Sequence, residues 1–474
     1  MSDTTRHSKE EGLLSLRQRI LEAPLMPTML RLSAPLMIGN LVSSLYWLID
    51  ALWLGLLGVK QLSIPTLAYY PFLVVYAFIA GLSMAAVSLV SQTLGRGDKD
   101  EVIEVVNRVL GASLAIAVVA GLVGFAAAPL FIELLGVSSD MASAATTYLR
   151  VQFLALPFAT LMYTFRLISS SLGDTRTPST LLIVALLLNI VLDPLLIFGI
   201  WVFPRFEVLG AAIASLVSRL AISLVIVALM VRGFHGVRLA PRLMAPSRRV
   251  LAVMASVGLP VGLNSSVAHA AEYLLVGLVT RIDMLVGTVA ALAAYTIGFR
   301  VLDVLRSVVD ALSQGAAVVI GQSLGAGLEE RAKAAVNTLT WLLLVVLSLS
   351  GLLFVYEGDG VAGLFTDDSL AIQETWRYLS VLGLSLPLLT FFMTAWSIAI
   401  ATGKTKVITY IAIARAVLIR LPLAYILAFL VGMKSMGIWA AIAASNAAVG
   451  LLSMVWVTRG KWVEAAALRK YEAS

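Results

Sequence analysis

The sequence predicts an all-α polytopic membrane protein of twelve transmembrane helices in two pseudo-symmetric six-helix bundles. Three observations carry this expectation. The 474 residues are 60% hydrophobic and 13% charged, with a mean hydropathy of +0.96, whereas soluble domains are nearer half apolar and a quarter charged. Apolar runs of the ~20 residues that cross a bilayer recur along the whole chain. Finally, LSMAAVSLVSQTLGRG (82–97) aligns without gaps to LSQGAAVVIGQSLGAG (312–327), the signature of an internal duplication.

The elements follow in order. A charged segment, 1–30, opens the chain; it lacks a compact apolar core with a small-residue cleavage site, so no signal peptide is read there. The first span, 31–57, carries Asn40 and Asp50. The second, 64–91, and the third, 104–135, are separated by the basic GRGDKD. The fourth, 143–171, and fifth, 177–201, meet at the turn GDTRT, and the sixth, 208–232, ends the first lobe (31–232). A basic linker, 233–248, leads into the second lobe (249–458). There the seventh span is 249–279, the eighth 286–319 and the ninth 332–356, followed by the acidic stretch Glu357–Asp368. The tenth, 372–401, turns at GKTKV into the eleventh, 405–431. The twelfth, 436–458, precedes the tail, 459–474. The joins near 57–64 and 401–405 require tight hairpins.

Charge orients these spans. The termini and the breaks after even-numbered spans hold about twenty Lys and Arg, including Arg96, Arg176, Arg238, Arg248, Arg331 and Lys404. The opposite breaks hold about half a dozen, such as Lys60, Arg205, Arg281 and Lys434. The positive-inside rule therefore places both termini in the cytoplasm; the expected location is the inner membrane of a prokaryote. The net charge of +7 is spent on topology, so no nucleic-acid partner is expected. The chain has no Cys and three scattered His, which excludes disulfide and thiolate chemistry and argues against a metal cluster or other cofactor. No Ser/His/Asp set or phosphate loop suggests an enzyme.

The repeat also places Asn107 on Asn337, GDTRT (173–177) on GKTKV (403–407), and, near a shorter offset, LGAAIASLVSR (209–219) on MGIWAAIAASN (436–446). An even number of spans per half makes the repeats parallel, a secondary-transporter architecture with the substrate path between halves.

Charges inside the membrane mark function by default. In LLLNIVLDPLLIFG, Asp193 falls about 24 Å along the fifth span, and Asp50 about 28 Å along the first, so the two carboxylates share a depth. Tyr148 and Ser215 fall near it as well. Asn189 and Asp193, four residues apart, share a helix face. Pro194 lacks an N–H and leaves the Ile190 carbonyl without its usual partner, favouring a kink. These oxygens suit a Na⁺ or, with a raised carboxylate pKa, a proton; the alternative is a purely structural network. The same repeat offset lands Asp193 on Leu423, so the site is asymmetric. In the second half Arg300, Asp303, Arg306 and Asp310 lie at helical spacing, either as a self-neutralising ladder or as a substrate-facing pocket. Glu272, Arg415 and Arg420 belong to the same half. Asn40 and Asn264, following Pro35 and Pro260, are expected to bond between helices.

The stretches ILEAPLMPTMLRLSAPLMIGNLVSSLYWLIDALWLGLLG, SQTLGRGD, SSLGDTRTP, NIVLDPLLIFG and GQSLGAGLEERA, in that order, resemble the multidrug and toxic compound extrusion (MATE) transporters, most of all the archaeal and DinF-like branches. The resemblance runs from about 20 to 458. It implies a V-shaped fold of two six-helix bundles. It also implies export of amphipathic, often cationic small molecules by alternating access, driven by H⁺ or Na⁺, with the protein working as a monomer in the bilayer. Asp50, Asn189 and Asp193, with Tyr148 and Ser215, match the family's amino-terminal-lobe cation site. Departures lie in the second half: Glu272 is about one turn beyond the family's acidic position, and span ten has only Glu374, at its edge. The rival reading is a flippase or exporter for an anionic lipid-linked or amphiphilic substrate, with Arg300, Arg306, Arg415 and Arg420 as phosphate contacts.

Overall fold

The computed structural model describes residues 15–57, 59–133, 139–459 and 462–463. Among them, twelve helices are long and apolar enough to cross a membrane. They are α1 (Leu25–Gly55), α2 (Val59–Ser83 and, past a break at Met84, Ala85–Arg96), α3 (Lys99–Glu133), α4 (Ser139–Leu172), α5 (Arg176–Phe198) and α6 (Val208–Arg232). The second six are α7 (Arg248–Val286), α8 (Ala290–Gly325), α9 (Glu329–Gly363), α10 (Ser369–Thr402), α11 (Thr405–Leu430) and α12 (Ser435–Thr458). No strand forms among the described residues; Phe234 and Val237 make an isolated bridge. The expected end of span three at 134–135, and parts of the segments 1–30 and 459–474, lie outside the described residues.

One boundary moves. Helix α7 continues to Val286, past the expected 279, and α8 starts at Ala290 rather than 286. The turn is set by Gly287, at φ +74°, and by Asp283, whose carboxylate accepts the backbone N–H groups of Ala291 (3.0 Å) and Leu292 (2.8 Å). Asp283 thus ends one helix and caps the next, inside a stretch whose apolar composition conceals the turn.

Prolines shape the second half. The segments Met254–Gly258 of α7 and Ala414–Arg420 of α11 are π-helical, and each is followed closely by a proline, Pro260 or Pro422. A proline cannot donate to the carbonyl one turn back, and widening that turn is one way for the helix to continue. The outer faces of the bundle are apolar and exposed: Leu122 and Val123 of α3 are each 63% exposed, as is Leu349 of α9 at 62%. Such surface is compatible with lipid and not with water.

The halves meet in a paired arrangement: α1 packs on α8, and α7 packs on α2. Glycines permit the close approach. A Cβ on Gly81 would overlap the Gly262 backbone, one on Gly95 the Gln322 carbonyl, and one on Gly325 the Gln92 carbonyl. At the basic face the contact is closed by two equivalent hydrogen bonds. Gln92 Nε2 of α2 donates to the Ala401 carbonyl of α10 (2.6 Å), and Gln322 Nε2 of α8 donates to the Ser171 carbonyl of α4 (2.8 Å). Gln92 and Gln322, and likewise Ser171 and Ala401, are repeat equivalents. All four positions are buried.

The short helix over 15–22 straps the same face. Arg17 donates to the Gly95 carbonyl through Nε (3.1 Å) and Nη2 (2.9 Å). From α9, Arg331 Nη2 donates to the carbonyls of Ile20 (2.7 Å) and Ala23 (2.6 Å). The linker is pinned to α3 by Asn107, which donates to the Arg238 carbonyl (3.0 Å) and accepts from the Ala240 N–H (2.8 Å). Its repeat mate Asn337 is exposed.

Asp174, in the turn between α4 and α5, also holds the linker. Its Oδ1 accepts the N–H groups of Arg176 and Thr177, and its Oδ2 accepts from Thr177 Oγ1 (2.6 Å) and pairs with His235 Nε2 (2.8 Å). Burial alone would raise the Asp174 pKa, but the hydrogen bonds from His235 and Thr177 outweigh it and hold the carboxyl below its ordinary 3.8. A carboxylate so depressed stabilises the fold fully above the unfolded pKa, and that contribution is lost as pH falls through the folded value. Asp174→Asn is therefore expected to cost about 1 kcal/mol at neutral pH and to flatten the decline in stability below pH 3.8. Thermal melts of both proteins across acidic pH check this; parallel declines would refute it.

Candidate functional site

Two polar sites occupy the membrane interior. In the first half, Asn189 and Asp193 of α5 are fully buried, and Asn189 Nδ2 donates to Asp193 Oδ1 at 3.2 Å, as their spacing predicts. The other amide atom, Asn189 Oδ1, is buried with no hydrogen-bond partner. A buried acceptor without a donor costs about 1–3 kcal/mol, and a cation or a proton shared with the carboxylate would relieve it.

Helix α5 stays α-helical through Pro194 and ends at Gly199, at φ +71°. The kink expected there is not a break in the helix. Helix α1 packs on α5, and the two are in register where a Cβ on Gly39 would touch Ser179 Oγ (3.4 Å) and Leu182 (3.5 Å). The step along the chain from Gly39 to residue 50 equals that from Leu182 to Asp193, so these positions share a level. The side chain of Asp50 lies outside the described residues. Tyr148 and Ser215 are both buried, 4% and 1% exposed. Tyr148 Oη accepts from Gln152 Nε2 (3.2 Å), whose Oε1 accepts from Arg219 Nη1 (3.1 Å).

The second site is a cavity of about 710 Å³ between the halves. Its floor is formed by Val87, Ser170, Val318 and Ile400, each adjacent in sequence or about a helical turn from a member of the Gln92–Ala401 and Gln322–Ser171 pairs. The cavity is therefore shut at the basic face. Higher up, its first-half wall holds Arg166 and Arg219, with Tyr76 and Tyr163; its second-half wall holds His269, Asp303, Arg306 and Asp310.

Of the four charges on α8, three reach this cavity. At 100° per residue, Asp303, Arg306 and Asp310 lie within about 60° of one another, and Arg300 lies about 120° from Arg306. Arg300 is exposed and does not line the cavity. The Arg306 guanidinium lies over the Phe299 ring at 5.9 Å. Of the two alternatives, ladder or lining, the placement of Asp303, Arg306 and Asp310 on the cavity fits the lining, while Arg300 lies apart from it.

Of the remaining second-half residues, Glu272 reaches the cavity wall through His269. Glu272 Oε2 approaches His269 Nδ1 at 3.7 Å. Arg420 donates to Ser445 Oγ (3.0 Å) and Asn446 Oδ1 (2.8 Å), and Arg415 lies over the Phe392 ring at 4.8 Å. Neither Arg415 nor Arg420 lines the cavity that Arg306 lines. Glu374, expected at a span edge, is buried and accepts from Trp439 Nε1 (2.8 Å).

Sequence reasoning passed over Arg166, Arg219 and Gln152. The signal was present in TFRLISS and VSRLAIS, where an arginine interrupts an apolar run, and the rule that flagged Asp193 applies equally to them. Asn40 behaves as expected of an interhelical bridge. It accepts from Arg166 Nη1 (3.0 Å) and donates to the Ser307 carbonyl of α8 (3.3 Å).

Known proteins share this architecture. The FAD transporter of Shewanella oneidensis is 28% identical over 445 residues, which span 92% of this chain and 95% of that one. The multidrug export protein MepA of Staphylococcus aureus is 25% identical over 448 residues, 93% of this chain and 95% of its own. Among solved structures, a MOP superfamily transporter from Pyrococcus furiosus matches with a TM-score of 0.82 at 23% identity, covering 94% of this chain and 98% of that one. The MatE family model matches residues 35–195 and 269–426, one segment in each half of the duplicated bundle. With the repeat, the twelve spans and the cavity between the halves all in agreement, the chain belongs to the MatE family, the multidrug and toxic compound extrusion transporters.

Proposed function

We propose that this protein is a cation-coupled antiporter that exports amphipathic small molecules by alternating access. The observation that carries this reading is the cavity between the halves, shut at one face by a symmetric pair of hydrogen bonds. Such a seal can open by rocking one lobe against the other, which is how parallel-repeat transporters move a site between the two sides. The lobes are 31–232 and 249–458, joined by the linker 233–248, and the protein acts as a monomer in a prokaryotic inner membrane. The basic face, with both termini, is cytoplasmic, so this form faces outward. No enzymatic step and no cofactor beyond the coupling ion is needed.

Asp50, Asn189 and Asp193 bind the ion, H⁺ or Na⁺, with Tyr148 and Ser215 beside them. The pair Asn189–Asp193 supports this, since it places a carboxylate and an unpartnered amide oxygen together in a dry interior. Ion entry from outside accompanies substrate release; the seal then opens and the ion leaves to the cytoplasm. Coupling requires that the ion bind the two forms unequally. The names of the relatives, one moving FAD and one exporting many drugs, support an amphipathic organic substrate.

Proteoliposomes with an imposed pH or Na⁺ gradient test the proposal against a panel of amphipathic compounds. One gradient, but not both, is expected to drive accumulation, and collapsing it should stop transport. Equal transport with and without gradients would point to a passive path and end the antiporter reading.

A further inference from the structure

The carboxylates of the cavity are confined to one wall. On the first-half side the charges are both guanidinium groups, Arg166 of α4 and Arg219 of α6; the carboxylates Asp303 and Asp310 are confined to the α8 wall, on either side of Arg306. Each first-half arginine is oriented by a neutral amide oxygen. Arg166 Nη1 donates to Asn40 Oδ1 and Arg219 Nη1 donates to Gln152 Oε1. Among the described residues, none of Arg166, Arg219 and Arg306 is ion-paired. An amide oxygen fixes one nitrogen of the fork without carrying a charge of its own, so the guanidinium keeps further N–H donors for a ligand.

Aromatic rings line the same wall. Tyr76 stacks on Phe72 at 5.8 Å between centroids and meets Tyr163 edge-on at 6.3 Å. Arg166 lies over the Tyr163 ring at 5.1 Å. A planar guanidinium held beside aromatic faces recognises an oxyanion through paired N–H···O bonds, while the rings accept a flat apolar body. The cavity volume falls in the range that encloses a drug-sized ligand.

From this arrangement we infer that the cavity selects planar aromatic amphiphiles bearing an anionic oxyacid group, with the anion on Arg166 and Arg219 and the ring system against Tyr76 and Tyr163. The α8 carboxylates receive hydrogen-bond donors or a cationic group at the other end of the same molecule. This deepens the exporter reading and rests on it for the cavity being the substrate site. The recognition itself is a binding property that needs no gradient.

The test is equilibrium binding to the purified full-length chain in detergent. FMN and riboflavin make a matched pair that differs by one phosphate, and ethidium serves as a planar aromatic cation. FMN is expected to bind at least about tenfold tighter than riboflavin, and ethidium more weakly than FMN. In Arg166→Gln/Arg219→Gln the FMN preference should fall to within about twofold, with riboflavin affinity retained. Arg166→Lys/Arg219→Lys keeps the charges but loses the forks, so an intermediate preference is expected. FMN binding no tighter than riboflavin, no FMN binding at about 1 mM, or ethidium preferred over FMN would each overturn the inference. If the Gln variant does not fold, the ligand order in the unaltered chain decides alone. Failure of antiport would leave that order intact, and loss of the order would leave gradient-driven transport of other compounds intact.

Discussion

Replacing Asp193 by Asn, alone or with Asp50→Asn, is expected to reduce gradient-driven export by about 100-fold, the upper range of coupling between two sites in one protein. Asparagine keeps the shape of the side chain and an oxygen that can accept from Asn189 Nδ2, now at 3.2 Å from Asp193 Oδ1. It removes the charge that attracts Na⁺ or holds a proton. Since Asp193 is fully buried, a neutral side chain there is cheaper to bury than a carboxylate, so the variant should be at least as stable as the parent. The decisive pairing is therefore a thermal melt that is unchanged or raised, together with transport that no longer responds to the imposed gradient. Undiminished coupled transport in the double variant would remove these carboxylates from the mechanism.

The second large effect is expected at the seal. In Gln92→Ala/Gln322→Ala, the carbonyls of Ala401 and Ser171 lose the partners they have in the closed form. Each orphaned buried carbonyl costs about 1–3 kcal/mol, while the same groups are wetted when the seal is open. Summed over the pair, the closed form should lose about 2–6 kcal/mol, a shift of at least about tenfold toward the form open at the basic face. The absence of native Cys makes this easy to read. A single Ser170→Cys on the cavity floor reports access by membrane-impermeant thiol reagents from either side. Labelling from the basic side should accelerate by at least about tenfold in the double Gln variant. Unchanged labelling from that side would show that the glycine contacts at Gly95 and Gly325, and not the glutamines, hold the seal.

The candidate sites were unequally legible. Asn189 and Asp193 could be paired from the sequence because both lie on one helix, where four-residue spacing fixes a shared face. The glutamines illustrate the intermediate case. Their equivalence is visible in SQTLG and GQSLG, but equivalence does not say what each one touches; their partners lie 309 and 151 residues away. The α8 charges were visible and ambiguous, because spacing alone allows a ladder or a lining. Arg166 and Arg219 were visible as charges inside apolar spans and were passed over, although the rule that marked Asp193 covers them equally.

By itself, the sequence determined the membrane environment, the number of spans, the duplication and the shared face of Asn189 and Asp193. All of these are local or periodic properties, set by transfer free energies and the helical repeat. Only the tertiary structure decided that Asp303, Arg306 and Asp310 line a cavity, that its carboxylates are confined to one wall, and that two equivalent glutamines close one end. Those outcomes depend on the rotation of each helix about its axis and on which glycine faces let two backbones approach. They arise from packing between helices far apart in the chain, which no local pattern encodes.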